Sequence, residues 1–463
     1  MIRLFKVSVP SSIVLLIVSE AILLISCYVL AIYGTVEAAD VFLFDDDGIW
    51  AVTFVVLVVL IGLYFADMYD HYGAGSRVAL VQQFCLVLGV SFLFQALANY
   101  GRWDALVLPK WGMVYGSTLA LVLLPVWRIA FTNVIWKAVG ARRLLFLGSS
   151  PVVCEIIERI FERPELGMAP IGYLDNDPEA PEKLSGAPKL GCIGDLRSVV
   201  AEHLPHSIVV GLNERRRNVP VEQLLDLRLS GIHVEEASMT YQSIFHRVST
   251  RDLRPSQLIF SAELGPNSRS IALQSVYSTL ICLVALVVTL PIMAVVAILV
   301  KLTSPGPVLL RQTRVGFNGA PFVLYKFRSM YQDAEARTGP VWATKDDPRI
   351  TPAGRWLRRL RLDELPQLFN GLRGEMSVVG PRPERPEFVT ILQEKIPYYR
   401  QRHCVKPGIT GWAQINHKYG DTVEDAIVKL EYDLYYIQNL ATSLDAYILF
   451  HTAKTMLFGR GSQ

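Results

Sequence analysis

Apolar residues in this chain gather into long uninterrupted runs. Ile13–Tyr33, Ile49–Ala66, Val78–Ala98 and Gly112 to about Ile135 each come close to the length an α-helix needs to cross a bilayer, about 20 mostly apolar residues. No small-residue cleavage site follows the first run, which is also long for a signal core, so it reads as an anchor. A fifth run, Ser270–Val300, carries no charged residue over 31 positions. Between the fourth and fifth runs the pattern shortens. Arg143–Gly148 reads as a buried strand, Pro151–Phe161 as a helix, and Ile171–Asp175, Ser207–Gly211 and Ile232–Glu235 as further strands. Strands alternating with helices predict a parallel, Rossmann-like sheet.

Charge orients the runs. Arg3 and Lys6 precede the first span, the loop Gly34–Gly48 holds Glu37, Asp40 and Asp45–Asp47 with no Lys or Arg, and Lys137, Arg142 and Arg143 follow the fourth. Basic flanks stay in the cytoplasm, so four crossings return the chain there. Arg102 and Lys110 in the third loop fit this least well. Glu20 lies inside the first span, where a charge is costly, and reads as a carboxyl paired within the bundle or as a functional group. The fifth run has Arg269 before it and Lys301, Arg311 and Arg314 after it, so both ends read as cytoplasmic. Pro291 removes a helical donor partway along. The expectation is a proline-broken, re-entrant helix dipping into one leaflet, against the alternative of a fifth crossing.

Composition agrees: 51% of the 463 residues are hydrophobic and 19% charged, below the about 25% of soluble domains. A net charge of +3 gives no indication of a nucleic-acid partner. The six cysteines include no Cys-x-x-Cys pair, which excludes a disulfide framework or a four-cysteine zinc site. After the first predicted strand, Gly148-Ser149-Ser150 keeps one glycine of the dinucleotide fingerprint. That leaves open a nucleotide site or a domain without one.

The average charge hides a local feature. From Arg311 to Arg361 eleven Lys/Arg face four Asp/Glu, a net of +7. Anionic headgroups or a nucleotide diphosphate would both suit it. Thr351-Pro352 reads as a helix start, and Pro366 puts Asp363 and Glu364 near the start of a second short helix. There the pair could act as helix caps. Alternatively, beside Arg358, Arg359 and Arg361, an ionised Asp could hold a divalent cation or attack phosphorus.

Five segments occur in the order of one family: Pro305-Gly-Pro-Val with Arg311 and Arg314, Tyr325-Lys-Phe-Arg-Ser-Met330, Leu362-Asp-Glu-Leu-Pro-Gln-Leu368, Ser377-Val-Val-Gly-Pro-Arg-Pro383 and Lys406–Ile415. Over about Ser270–Phe458 the chain resembles the bacterial monotopic phosphoglycosyl transferases, and its N-terminal half resembles their large subgroup. The resemblance implies transfer of a hexose 1-phosphate from a UDP-sugar, UDP-glucose foremost, to undecaprenyl phosphate with release of UMP. It maps the nucleophile and Mg²⁺ ligand onto Asp363, and an acid–base assistant onto Glu364. The groups around the phosphates and nucleotide map onto Lys326, Arg328, Arg361, Pro381, Arg382 and Pro383, and the membrane-helix break onto Pro291. The implied architecture is a four-span bundle (1–138), a Rossmann-like domain (139–265) and a mostly α catalytic domain (266–463), with the last two on the cytoplasmic face of the inner membrane. A homodimer is the oligomer to consider.

Departures from the family lie at Leu290-Pro291, at Arg269 standing without a neighbouring Lys, and at Asn416-His417-Lys418, which bears on sugar choice. His403 and His417 are candidate bases or structural imidazoles, and Trp412 and Tyr398–Tyr399 could stack on uracil or fill the core. A membrane-anchored NAD-dependent dehydratase or epimerase would use a Tyr-x-x-x-Lys pair, and no Tyr here has Lys four residues on. A non-catalytic assembly scaffold is the other alternative; the Asp-Glu pair with Lys326 and Arg382 argues against it.

Overall fold

Five helices among the described residues are long and apolar enough to cross a membrane. They belong to a computed structural model that describes residues 2–4, 6–66, 68–69, 77–131, 141–212, 219–251, 268–332, 347–417 and 422–457. The chain divides into two compact units, one chiefly Ser8–Glu235 and the other Arg3–Val7 with Glu236–Gln463. The expected boundaries at 138/139 and 265/266, and the end of the fourth span, lie outside the described residues.

The first unit opens with α1 (Ser11–Thr35), a short α2 (Ala39–Phe44), α3 (Gly48–Phe65), α4 (Arg77–Tyr100) and α5 (Lys110–Ala130). Small residues let these helices approach closely. A Cβ on Gly116 would stand 2.3 Å from the Tyr28 ring, and one on Gly62 2.7 Å from Val87. The Tyr28 hydroxyl meets the Ser117 hydroxyl at 3.0 Å beside Gly116. Glu20 is fully buried and paired, as one reading of it required. Arg128 Nε and Nη2 donate to its carboxylate at 2.8 and 3.1 Å, Tyr69 donates at 2.7 Å, and Arg128 Nη1 donates to the Met68 carbonyl at 3.0 Å.

Past the bundle, β1 (Arg142–Leu147), β2 (Met168–Leu174), β3 (Lys183–Leu184), β4 (Ala187–Gly191), β5 (Ser207–Val210) and β6 (His233–Glu236) form one sheet in the order β3-β4-β2-β1-β5-β6. The sheet is parallel where β1 meets β2 and β5 and where β2 meets β4, while β3 joins the edge antiparallel. The alternation of strands and helices predicted a parallel sheet, and these pairings are parallel except at that edge. Helices α6 (Pro151–Glu162), α7 (Leu196–His203) and α8 (Val221–Leu229) complete it. In the loop after β1 the polar groups bond internally. Ser149 donates to Asp175 at 2.6 Å and Ser150 caps α6. Gly148 (φ +93°) lies so near the Gly211 carbonyl that a Cβ would stand 2.8 Å from that oxygen.

The second unit holds α9 (Ala237–Phe245) and then the fifth apolar helix, α10 (Ser268–Thr303). The break expected at Pro291 is absent from the secondary structure, because α10 runs as one helix with the proline inside it. Its buried positions, Gln274, Ser278, Cys282, Met293, Val296 and Val300, recur at helical spacing and form one face, while Val276, Leu283, Val287, Val295 and Leu302 are exposed. Gln274 donates to Asp445 at 2.7 Å and sits with Tyr436 and the Val379 carbonyl, and Ser278 meets Ser377 at 2.8 Å. Towards the other end, Met293, Val296 and Val300 share a cluster with Phe327 and Leu357.

Candidate active site

Two strands and two short helices build the site. β7 (Leu309–Val315) and β8 (Pro321–Phe327) pair antiparallel, with Lys326 opposite Leu310. Leu324 and Phe327 are both buried, on opposite faces of β8, and alternation puts Lys326 on the face of Leu324. α11 (Pro352–Arg359) starts as predicted, with the Thr351 hydroxyl accepting from the Gly354 amide at 2.9 Å. The chain then turns through Arg361 in the left-handed region (φ 55°) into a single 3-10 turn, Leu362–Glu364, ahead of α12 (Gln367–Leu372). Buried Asn370 ties α12 to β8, accepting from the Tyr325 amide at 3.1 Å and donating to the Val323 carbonyl at 2.7 Å.

These elements bring the adjacent acids among four cations, with opposite results. Glu364 accepts from Lys326 Nζ at 3.1 Å and Arg382 Nη2 at 2.8 Å, with Arg361 Nη1 at 3.8 Å. Burial would raise its pKa, but Arg382, Lys326 and Arg361 overcome that and hold it far below the usual carboxylate range. Asp363 is 7% exposed, and no hydrogen bond or ion pair reaches its carboxylate among the described residues. Burial and the charge of Glu364 raise its pKa, opposed by Lys326, Arg358 and Arg382. Burial also lowers the pKa of Lys326, against the pull of Glu364.

The loop Pro381-Arg382-Pro383 is fixed by its carbonyls. β9 (Ser377–Val379) runs parallel to β10 (Gly408–Thr410), and the Gly408 amide donates to the Pro381 carbonyl at 2.9 Å. The sheet closes on glycine, since a Cβ on Gly408 would stand 2.1 Å from the Gly380 nitrogen. Pro381 and Pro383 therefore shape the loop that aims Arg382.

Other expected site residues have different employment. Arg328 is buried and donates to the Ser304 and Pro305 carbonyls at 2.7 and 2.8 Å, holding the turn that leaves α10. Trp412, 2% exposed, opens α14 (Trp412–Asn416), which follows α13 (Pro386–Lys395), stacks on Tyr435 at 5.7 Å between ring centroids and donates to the His246 carbonyl. It is core, and unavailable to uracil. Tyr399 is buried against Arg402. His403 is buried beside it, and desolvation, then Arg402, pushes its pKa down to about 4. His417 pairs with Asp425 at 3.2 Å in the first turn of α15 (Val423–Gln438). Reading the sequence missed Arg314 and Arg402 as supports of the Pro-Arg-Pro loop, because carbonyl-to-guanidinium contacts across tens of residues leave no local signal.

A unit that carries a helix apolar enough to cross a membrane beside a cation-rich carboxylate pair belongs to the class equipped to meet anionic groups. The comparisons narrow it. The profile of the family described as bacterial sugar transferase matches residues 269–459. A UDP-glucose:undecaprenyl-phosphate glucose-1-phosphate transferase of Klebsiella pneumoniae is 31% identical over 441 residues, 86% of this chain and 92% of its own. A protein of the same description from Xanthomonas campestris pv. campestris is 34% identical, over 69% of this chain and 68% of its own. A UDP-N-acetylgalactosamine-undecaprenyl-phosphate N-acetylgalactosaminephosphotransferase of Aeromonas hydrophila is 41% identical over 50% of this chain, and the match spans about half (53%) of that relative. The chain belongs to the bacterial sugar transferase family.

Proposed function

We propose that the chain transfers a hexose 1-phosphate, glucose 1-phosphate foremost, from a UDP-sugar to undecaprenyl phosphate and so initiates exopolysaccharide or O-antigen assembly. The observation that carries the chemistry is the division of labour in the dyad: Glu364 is saturated by cations, while Asp363 beside it has no such partner among the described residues. An Asp363 oxygen attacks the β-phosphorus, the bond to the bridging oxygen breaks, and UMP leaves. An oxygen of undecaprenyl phosphate then attacks the same phosphorus, releasing Asp363 and forming the lipid diphosphate sugar. Lys326 and Arg382, oriented by Glu364, meet the charge spread over the phosphate oxygens. Glu364 serves as their anchor, because so acidic a carboxylate is a poor proton acceptor.

Mg²⁺ fits this donor set. It is commonly bound through one or two carboxylates with substrate phosphates and water, and Asp363 is the carboxylate that no protein cation ties down at close range. Bound there, it would neutralise diphosphate charge.

The membrane reading is four crossings followed by α10 seated in one leaflet, with the catalytic unit on the cytoplasmic face of the inner membrane. Support comes from the buried face of α10. Gln274 and Val300, 26 residues and so about 39 Å of helix apart, pack on the same unit. A full crossing would bury in hydrocarbon the partners that one of these ends packs on. Epitope tags at residue 267 and at the C-terminus are expected to report the cytoplasm, and a periplasmic C-terminus would refute the seating.

For the chemistry, membranes are incubated with UDP-sugars labelled in the β-phosphate, Mg²⁺ and undecaprenyl phosphate. Asp363→Asn is expected to lower lipid-linked label by at least about 10³-fold. Label that survives the substitution, or that forms with no sugar tested, defeats the mechanism.

A further inference from the structure

We infer that Arg402, backed by Asp433, is a positioning residue for Arg382, acting through the main chain of the Pro381-Arg382-Pro383 loop. The inference rests on the site reading above. Three consecutive carbonyls are held by three separate donors. The Gly408 amide binds that of Pro381 at 2.9 Å, Arg402 Nη2 that of Arg382 at 3.0 Å, and Arg314 Nη1 that of Pro383 at 3.0 Å. Proline fixes φ at 381 and 383, and a following proline restricts residue 382. What the rings leave free is the tilt of the peptide planes, and the carbonyl bonds remove that freedom. The Arg382 side chain therefore leaves a fixed backbone, and its guanidinium reaches Glu364 at 2.8 Å.

Arg402 is built for this task. It is buried, and its planar fork serves several partners at once: the Arg382 carbonyl, the Tyr399 hydroxyl at 2.6 Å and Asp433 at 2.8 Å. The guanidinium also lies 5.1 Å from the centre of the Tyr399 ring. A lysine keeps the charge and cannot reproduce the fork. Asp433 belongs to α15, so the clamp ties the loop to a long helix of the same unit. Among the described residues Arg402 forms no hydrogen bond or ion pair with Asp363 or Glu364, so its effect on chemistry passes through Arg382.

The test is a double-mutant cycle on the purified full chain, reading single-turnover UMP formation from UDP-glucose with Mg²⁺. Arg402→Lys is expected to lower the rate about ten- to hundredfold, as a displaced catalytic group does. In an Arg382→Ala background the same substitution is expected to cost less than about twofold. Equal losses in both backgrounds, or full activity of Arg402→Lys alone, would overturn the inference. Should Arg402→Lys fail to fold, Tyr399→Phe, which removes one oxygen from the clamp, runs the same cycle with the same criteria. Full activity of Arg382→Ala would instead sink the reading of the site itself, an outcome distinct from additivity.

Discussion

The bundle and the catalytic unit each bury carboxylates beside arginine, and they balance the charge differently. Among the described residues of the bundle, Glu20 is gripped by Arg128 and Tyr69, and the Arg128 guanidinium lies over the Tyr69 and Phe84 rings. In the site, Asp363 and Glu364 share four cations, Lys326, Arg358, Arg361 and Arg382. A closed pair is architecture. A surplus of positive charge with one carboxylate spare is an arrangement suited to an anion, and a sugar diphosphate is the one we propose. Removing charge should therefore cost stability in the bundle and rate in the site.

The sharpest way to break that contrast is Glu364→Gln, which keeps the shape and removes the charge that gathers Lys326 and Arg382. We expect turnover to fall about 10³- to 10⁴-fold with folding retained. If Glu364 anchors cations, UMP formation in the absence of lipid acceptor falls as well. If it served as base toward the lipid phosphate, that first half-reaction would survive unchanged and the anchor role would be lost.

In the bundle, Arg128→Met should cost about 3–5 kcal/mol by leaving Glu20 buried without its partner. Glu20→Leu with Arg128→Met together should recover most of it. Activity per folded molecule is expected to stay within about twofold in the double variant. A double variant no more stable than Arg128→Met, measured by thermal melting in detergent, would mean that the pair is more than architecture.

What was legible in the sequence divides along the same line. Lipid forces apolar runs, so the N-terminal helices long and apolar enough to cross a membrane could be placed as far as the described residues reach, and the dyad stood out because acids, arginines and Pro366 crowd a short segment. Partners distant in sequence were not legible. Glu20 was noticed, but its mate lies 108 residues away. The family resemblance mapped Arg328 onto the phosphates, yet two carbonyls beyond α10 hold it. Trp412 could have stacked on a base or filled the core, and Tyr435 stacked on it, with Tyr447 tilted beside it, decides for the core. Pro291 was read as a break, but a helix that gives up one donor can continue when one of its faces is packed throughout.

The smallest expected effect tests the architecture behind the site. Asp433 and His403 flank Arg402 in opposite senses. Burial, outweighing Arg402, raises Asp433 to about 6, with Glu384 adding to the rise and Lys429 opposing it. Burial, then Arg402 and Arg400, lowers His403 to about 4. For Asp433 the folded state holds the extra proton between about 4 and 6, so its contribution is present at low pH and lost as pH rises through that window. For His403 the unfolded state holds the extra proton between about 4 and 6.5, so its contribution is present above that window and lost as pH falls through it. The two slopes, each at most about 1.4 kcal/mol per pH unit, nearly cancel. His451, also pushed down to about 4 by burial, adds a rise in stability towards neutral pH, and Asp363 and Asp445, both raised by burial, subtract from it. Melting in detergent from pH 4 to 7 should therefore show, relative to the wild type, His403→Gln lowering the slope of stability against pH and Asp433→Asn raising it. Parallel curves for both variants and the wild type would mean that the groups behind the Arg382 clamp are not buried in the folded enzyme as described.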